Sequence, residues 1–263
     1  MTKAHLNYLK KRKRRTILTH VLRIALLFSL IGGWEAIAYF NIVDPFIISS
    51  PSRILKIIGT LYESEQLFSH VWASLYETVA GFLIATFLGS TIAVFLWWSS
   101  LPRDVLEPYI ITLNSLPKIA LGPIIIVWMG IGKQAIVFMA VLICIVITVI
   151  SMLAGFCTVD KEKIMLLTSM HANKFQILSK LVFPANIPNL ISVLKINVGL
   201  SWVGSIMGEY LSSREGLGYL IVYGSQVFQL DLVMASTVML CILAGSMYAL
   251  VAVIEKIVRK KFK

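Results

Sequence analysis

The chain has 263 residues, 58% of them hydrophobic and 14% charged, with a formal net charge of +11. Soluble globular domains are about half apolar and about a quarter charged, so this composition excludes an ordinary soluble domain. The apolar residues come in long blocks, which points to one all-α, polytopic membrane domain.

The chain opens on a basic segment, residues 1–17, in which Lys10, Lys11, Arg12, Lys13, Arg14 and Arg15 follow one another. A basic cluster can serve nucleic acid, but beside an apolar block it reads as a cytoplasmic flank that sets topology. No nucleic-acid partner is expected. The apolar stretch from Ile24 continues past Gly32 and Gly33 to Phe40 without a small-residue cleavage site. That pattern is a retained helix, not a signal peptide.

A membrane helix needs about 20 mostly apolar residues to cross a core about 30 Å thick. Six blocks qualify: 18–40, 74–97, 106–129, 135–153, 187–210 and 232–254. A transmembrane domain is therefore expected over 18–255, followed by a basic tail over 256–263. An even number of spans returns both termini to one side. That side holds Lys3, the 10–15 run, Arg103, Lys161, Lys163, Lys174, Lys180, Lys256, Arg259, Lys260, Lys261 and Lys263. The other holds only Arg53, Lys56, Lys133 and Arg214. The asymmetry predicts both termini in the cytoplasm.

Two loops carry structure. In the outer loop, Ser49-Ser50-Pro51-Ser52 is an N-cap signal before a short helix over 53–62. In the cytoplasmic loop, over 156–188, Asp160 can cap a helix from Lys161. Ile164, Leu167, Met170, Phe175 and Leu178 then fall at spacings of mostly three or four, on one broad face. Pro184 and Pro188 are expected to stop this helix. Such a helix lies on a lipid surface or fits a partner's groove, and periodicity alone does not choose.

No catalytic chemistry stands out. Cys144, Cys157 and Cys241 form no CxxC pair and no metal-ligand spacing. His5, His20, His70 and His171 are scattered, with no HExxH, and no phosphate-binding G-x-x-x-x-G-K-[ST] is present. No metal or cofactor is expected in this chain. Polar residues inside the apolar blocks are candidates for lining a solute path: Asn114, Ser115, Lys118, Asn197, Trp202, Ser205 and Glu209. Lys118 lies between Pro117 and Gly122-Pro123, and broken helices at depth usually line a cavity. For each residue singly, helix-to-helix hydrogen bonds of about 0.6 kcal/mol explain the polarity as well. Gly204 and Gly208 form a GxxxG that suits close packing within one chain or between two. Lys118 and Lys195 would suit an anion, Glu77 and Glu209 a cation, and Trp202, Tyr210 and Tyr223 a flat ring.

Residues 165–184, MLLTSMHANKFQILSKLVFP, resemble the coupling loop of ATP-binding-cassette importer permeases. Asp160, Ala172, Phe175, Gln176 and Pro184 are in register with that pattern. Met165, Leu166 and Leu167 stand where the family has Glu-Ala-Ala, and His171 stands where it has glycine. Further stretches are similar to the family: Pro51-Ser52-Arg53-Ile54, Ala73-Ser74-Leu75 with Gly81-Phe82, Asn114-Ser115-Leu116-Pro117, Leu121-Gly122-Pro123 with the 128–132 stretch, and Gly208-Glu209-Tyr210-Leu211 with Glu215-Gly216-Leu217-Gly218. Together they cover roughly 49–225. They resemble the subgroup of aliphatic-sulfonate, taurine, nitrate and thiamine-precursor permeases.

The resemblance implies a translocation subunit of an importer, in a bacterial inner membrane, and not an enzyme. Its fold would be about six transmembrane helices plus a cytoplasmic coupling helix. Ile164, Leu167, His171, Ala172, Phe175, Leu178 and Pro184 would couple it to a separate ATPase, in two copies, which binds the ATP and Mg. A second permease copy would form a homodimer with the path on its axis, fed by an extracytoplasmic solute-binding protein. The competing reading is a self-sufficient channel or secondary carrier. That would need a coupling-ion site such as paired intramembrane carboxylates, and none is visible in the sequence.

Overall fold

A computed structural model describes residues 3–261, so Met1, Thr2, Phe262 and Lys263 of the two basic ends lie outside the described residues. Every regular element among the described residues is helical. In chain order these are α1 (Lys3–Tyr39), α2 (Pro45–Ile48), α3 (Pro51–Glu63), α4 (Gln66–Trp98) and α5 (Ser100–Ser115). A 3-10 turn (Lys118–Leu121) leads to α6 (Gly122–Met129), α7 (Lys133–Cys157), α8 (Lys161–Ser169) and α9 (Lys174–Ile177). A π turn (Leu178–Val182) then leads to α10 (Phe183–Ser212), α11 (Leu217–Gln226) and α12 (Leu230–Lys261). Five helices are long and apolar enough to cross a membrane, and six spans result if α5 and Lys118–Met129 count as one.

That third span departs from the sequence expectation. It is not one helix over 106–129 but two pieces bent by 85°. Pro117 pushes Leu116 out of helical geometry, to ψ 136, and lacks the N–H a continuing helix would use. Gly122-Pro123 then opens a new helix, with proline in its first turn. The expected stop at Pro184 and Pro188 does not occur either. The π turn brings the chain into α10 with Pro184 in the first turn, and Pro188 lies inside the helix. Proline costs little where its missing N–H has no partner to lose, and the wider turn supplies that place. Among the described residues, α1 begins at Lys3, within the basic segment, and α12 runs to Lys261, within the basic tail.

The core is the packing of α4 and α10 on α7. A Cβ at Gly81 would stand 2.5 Å from the Ala140 Cβ, and one at Gly204 2.5 Å from the Ala140 Cα. At Gly208 it would stand 2.9 Å from the Ile136 Cα. Only glycine lets these backbones meet. The GxxxG of α10 is therefore spent on packing within the chain. Hydrogen bonds cross the same seam. Thr78 and Ser205 hydroxyls lie 2.6 Å apart, and Asn197 Nδ2 donates to Thr148 Oγ1 at 2.8 Å and Thr86 Oγ1 at 3.1 Å.

The other helices are fastened around this core. The α1 side chains from Ile17 to Ile31 are exposed, and α1 meets the rest through its end. There Trp34 Nε1 donates to the Ile48 carbonyl at 3.2 Å, while the Glu35 carboxylate accepts from Ser52 N–H at 3.0 Å and Ser52 Oγ at 2.7 Å. Glu35 thus places a negative charge at the N-terminus of α3, where the helix dipole favours it. Arg53 of α3 pairs with Asp231 of α12 at 2.9 Å. Lys195 pairs with Glu255, joining α10 to α12.

The glycine seam predicts an asymmetry along one helix. Gly204→Val should overpack the α7 contact and cost about 1–3 kcal/mol, whereas Gly199→Val, which has nothing within 4 Å of its Cβ, should be close to neutral. Thermal unfolding of the two variants in detergent checks this.

Candidate functional site

At one end of the bundle, α8 and α9 form a surface. The Asp160 carboxylate accepts the Glu162 N–H at 3.0 Å and starts α8. The helix ends at Ser169, and His171 turns the chain with a φ of +59°. Asn173 then starts α9 by a capping box: its Oδ1 accepts the Gln176 N–H at 2.8 Å, and Gln176 Oε1 accepts the Asn173 N–H at 2.9 Å. Lys174 Nζ donates to the Trp98 carbonyl at 3.1 Å, which ties the turn to the end of α4.

This turn corrects the expected single helical face. Left-handed geometry at residue 171 breaks the helix, and each half turns some of its apolar residues inward and others outward. Ile164, Leu167 and Ala172 are half-buried against a cluster that includes Leu96, Leu153 and Phe156, and Leu178 is buried in that cluster. Phe175 and Met170 face outward with 66% and 69% exposure, joined by Met165 at 70% and Leu166 at 61%. His171 is exposed beside them, and Pro184 lies back in α10. The left-handed turn also explains why glycine suits position 171, since any side chain there is strained.

The candidate path residues fall into two groups that this chain does not bring together. Asn114 and Ser115 are exposed at the α5–α6 bend, where Lys118 Nζ donates to the Asn114 carbonyl at 3.1 Å. Asn197, Trp202, Ser205 and Glu209 are buried in the interior of α10. Asn197 and Ser205 are committed to the helix seam, while the Trp202 Nε1 has no partner. Lys195 is engaged by Glu255.

The opposite end holds an arrangement the sequence did not disclose. His70 and Ser74 of α4 and Glu209 of α10 all receive the N-terminus of α11. The Gly216 N–H donates to His70 Nδ1 at 3.0 Å, the Leu217 N–H to Ser74 Oγ at 2.8 Å, and the Gly218 N–H to Glu209 Oε2 at 2.6 Å. These bonds account for the Glu215-Gly216-Leu217-Gly218 signal. Glu77 of α4 is buried as fully as Glu209, so the spans do hold two buried carboxyls, which the sequence did not single out as such. The residues are far apart in the chain, and only the α4–α10 packing joins them.

His171 gives a test of the turn. His171→Gly should relieve the left-handed strain and stabilise the fold by about 1 kcal/mol, while the β-branched His171→Val should destabilise it by about 1–2 kcal/mol. Thermal unfolding of both variants reads the sign.

The geometry has close parallels. Residues 81–263 match the family described as binding-protein-dependent transport system inner membrane component. The chain is 24% identical over 228 residues to the taurine transport system permease protein of Escherichia coli (strain K12), covering 85% of this chain and 83% of that protein. It is 29% identical over 187 residues to the formylaminopyrimidine transport permease protein of Halalkalibacterium halodurans, covering 71% and 74%. Its fold is similar to that of a chain in a bacterial ABC transporter involved in the import of the acidic polysaccharide alginate. There the TM-score is 0.65, at 13% identity over 95% of this chain and 98% of the other. With the family match spanning well over half its length, the chain belongs to the inner-membrane components of binding-protein-dependent transport systems, and it is the multi-pass permease subunit of an ATP-binding-cassette importer.

Proposed function

We propose that this permease takes its energy from a separate ATPase docked on the α8–α9 surface. The observation that carries the reading is the outward display of Met165, Leu166, Met170 and Phe175 around His171. Four large apolar side chains on a turn held by a capping box and by Lys174 form a rigid anchor of the kind that fills a partner's groove. Ile164, Leu167, Ala172 and Leu178 act from beneath, joining the anchor to α4 and α7. The π turn and Pro184 join it to α10.

The α8–α9 end is the cytoplasmic one. In support, exposed Lys161, Lys163, Lys174 and Lys180 lie on it, and an even number of spans returns the exposed basic residues 11–15 of α1 to the same side. ATP and Mg bind to the ATPase, in two copies, one under each permease. The second permease copy is identical, and the path runs between the two. Asn114, Ser115 and Lys118, open on the α5–α6 face, then line the axis rather than a cavity inside one chain. Asn197, Trp202, Ser205 and Glu209 stand behind it and hold the helices that move. An extracytoplasmic binding protein delivers the solute. The solute is a small one of the sulfonate, nitrate-like or thiamine-precursor-like class, in keeping with the taurine and formylaminopyrimidine of the relatives' names. The family match leaves the channel or carrier reading without support.

The test is co-purification of the solubilised permease with its ATPase, from membranes in which both are expressed. Phe175→Asp should reduce the captured ATPase by about tenfold or more, the loss expected for an aromatic anchor. Its own unfolding temperature should hardly change, because Phe175 is exposed. Unchanged capture by a folded Phe175→Asp variant would remove the coupling role from this surface.

A further inference from the structure

Where α5 starts and α7 ends, the two helices border a cleft of about 380 Å³. It lies at the coupling end of the bundle, since α5 follows directly on Trp98, whose carbonyl holds Lys174. Arg103, Asp104, Glu107 and Cys157 form its polar part, and Ile110, Val149 and Leu153 give it an apolar wall. Arg103, Glu107, Ile111 and Asn114 follow at spacings of four, four and three, so one stripe of α5 runs from the cleft to the bend where Ser115 and Lys118 stand. The cleft thus continues, toward the cytoplasm, the face assigned to the solute path.

The charges in this cleft are held apart. Arg103 and Glu107 are one helical turn from each other, about 5–6 Å between Cβ atoms, a spacing at which opposite charges on a helix pair. Here they do not. Arg103 Nε donates to Asp104 Oδ1 at 3.3 Å and Nη1 to the Cys157 Sγ at 3.5 Å, and Glu107 has no hydrogen bond or ion pair among the described residues. Asp104 therefore offsets Arg103, and Glu107 is the charge left uncompensated. An acidic group inside a membrane span faces a watery cavity or a partner, not lipid. A guanidinium has five N–H donors and a thiol is a weak acceptor, so Arg103 still has donors for a stronger anion.

We propose that the α5–α7 cleft is a solute-binding site in the cytoplasmic half of the path, and that its ligand is a small zwitterion. The ligand's ammonium group meets Glu107, its anionic oxygens meet Arg103, and a short alkyl link lies against Ile110 and Leu153. The inference rests on the α5–α6 face being the path, and it narrows the solute class. Two carboxylates to one guanidinium favour a ligand that brings its own positive charge. An aminoalkyl sulfonate meets that demand, whereas a nitrate-like anion faces Glu107 and Asp104 with nothing to offset them. Anionic oxygens take the place of the thiol at Nη1, so a bound ligand also covers Cys157.

The experiment uses the permease with its ATPase in lipid nanodiscs. Cys241→Ser leaves Cys157 as the exposed thiol of the permease, beside buried Cys144. The probes, at equal concentration, are aminoethanesulfonate and ethanesulfonate, which lacks only the amine. Aminoethanesulfonate should slow maleimide labelling of Cys157 several-fold, and ethanesulfonate should hardly do so. Glu107→Gln should abolish the difference between the probes, and Arg103→Gln should abolish protection by both, each read against the same variant without probe. No protection in the parent protein, equal protection by the two probes, or an amine preference that survives Glu107→Gln overturns the proposal. So does labelling that follows the phosphatidylethanolamine content of the nanodisc and ignores both probes, since the cleft would then hold lipid. The path itself is read with Ser115→Cys in a chain without Cys157. If a water-soluble maleimide cannot reach position 115, the path reading and this site fall together; if it can and Cys157 stays unprotected, the site alone falls.

Discussion

Backbone-to-backbone contact of α4 and α10 with α7, at Gly81, Gly204, Gly208 and their partners Ala140 and Ile136, is the constraint on which the rest of this permease depends. In a lipid environment apolar side chains gain little by leaving one apolar surface for another, so close approach and interhelical hydrogen bonds must hold the helices together. The glycines give the approach, and the Thr78–Ser205 and Asn197–Thr148 bonds give the polar ties. With the seam fixed, α10 becomes a rod between the two ends of the molecule. At one end it continues through the π turn into α9, and at the other it presents Glu209 to α11. The α8–α9 turn is therefore joined by one stiff helix to the α11 end.

Much of this was legible in the sequence, for a plain reason. Apolar blocks long enough to cross a bilayer can be read by counting, and five of the six match one long helix with ends shifted by several residues. The N-cap at Ser50 and the cap at Asp160 were also legible, because a cap is a local hydrogen bond between near neighbours. Prolines were harder. Pro117 broke its helix while Pro108, Pro184 and Pro188 did not: Pro184 falls in the first turn of α10 behind the π turn, and Pro108 and Pro188 sit inside their helices, which no spacing announces.

The site was legible in part. Phe175 and Met170 were marked as apolar and turned out to be exposed, while Leu178, marked with them, is buried. The missing information was the left-handed turn at His171, which ends the helix the spacing assumed, so that each half divides its apolar residues between the inside and the surface. The polar residues of the blocks could be listed but not sorted. Whether Asn197 lines a path or ties helices depends on Thr86 and Thr148, distant in the chain. The cradle that His70, Ser74 and Glu209 make for the start of α11 is the extreme case, since nothing local to any of them points to the others.

The central claim, that ATP-driven motion enters at the α8–α9 turn, is tested most directly by site-specific cross-linking in native membranes. With the native cysteines replaced, Phe175→Cys, Met165→Cys and Leu178→Cys would each be probed against the ATPase. The account predicts permease–ATPase adducts from the exposed positions 165 and 175 and none from buried position 178. Adducts absent from both exposed positions, while the ATPase still co-purifies with the permease, would contradict it.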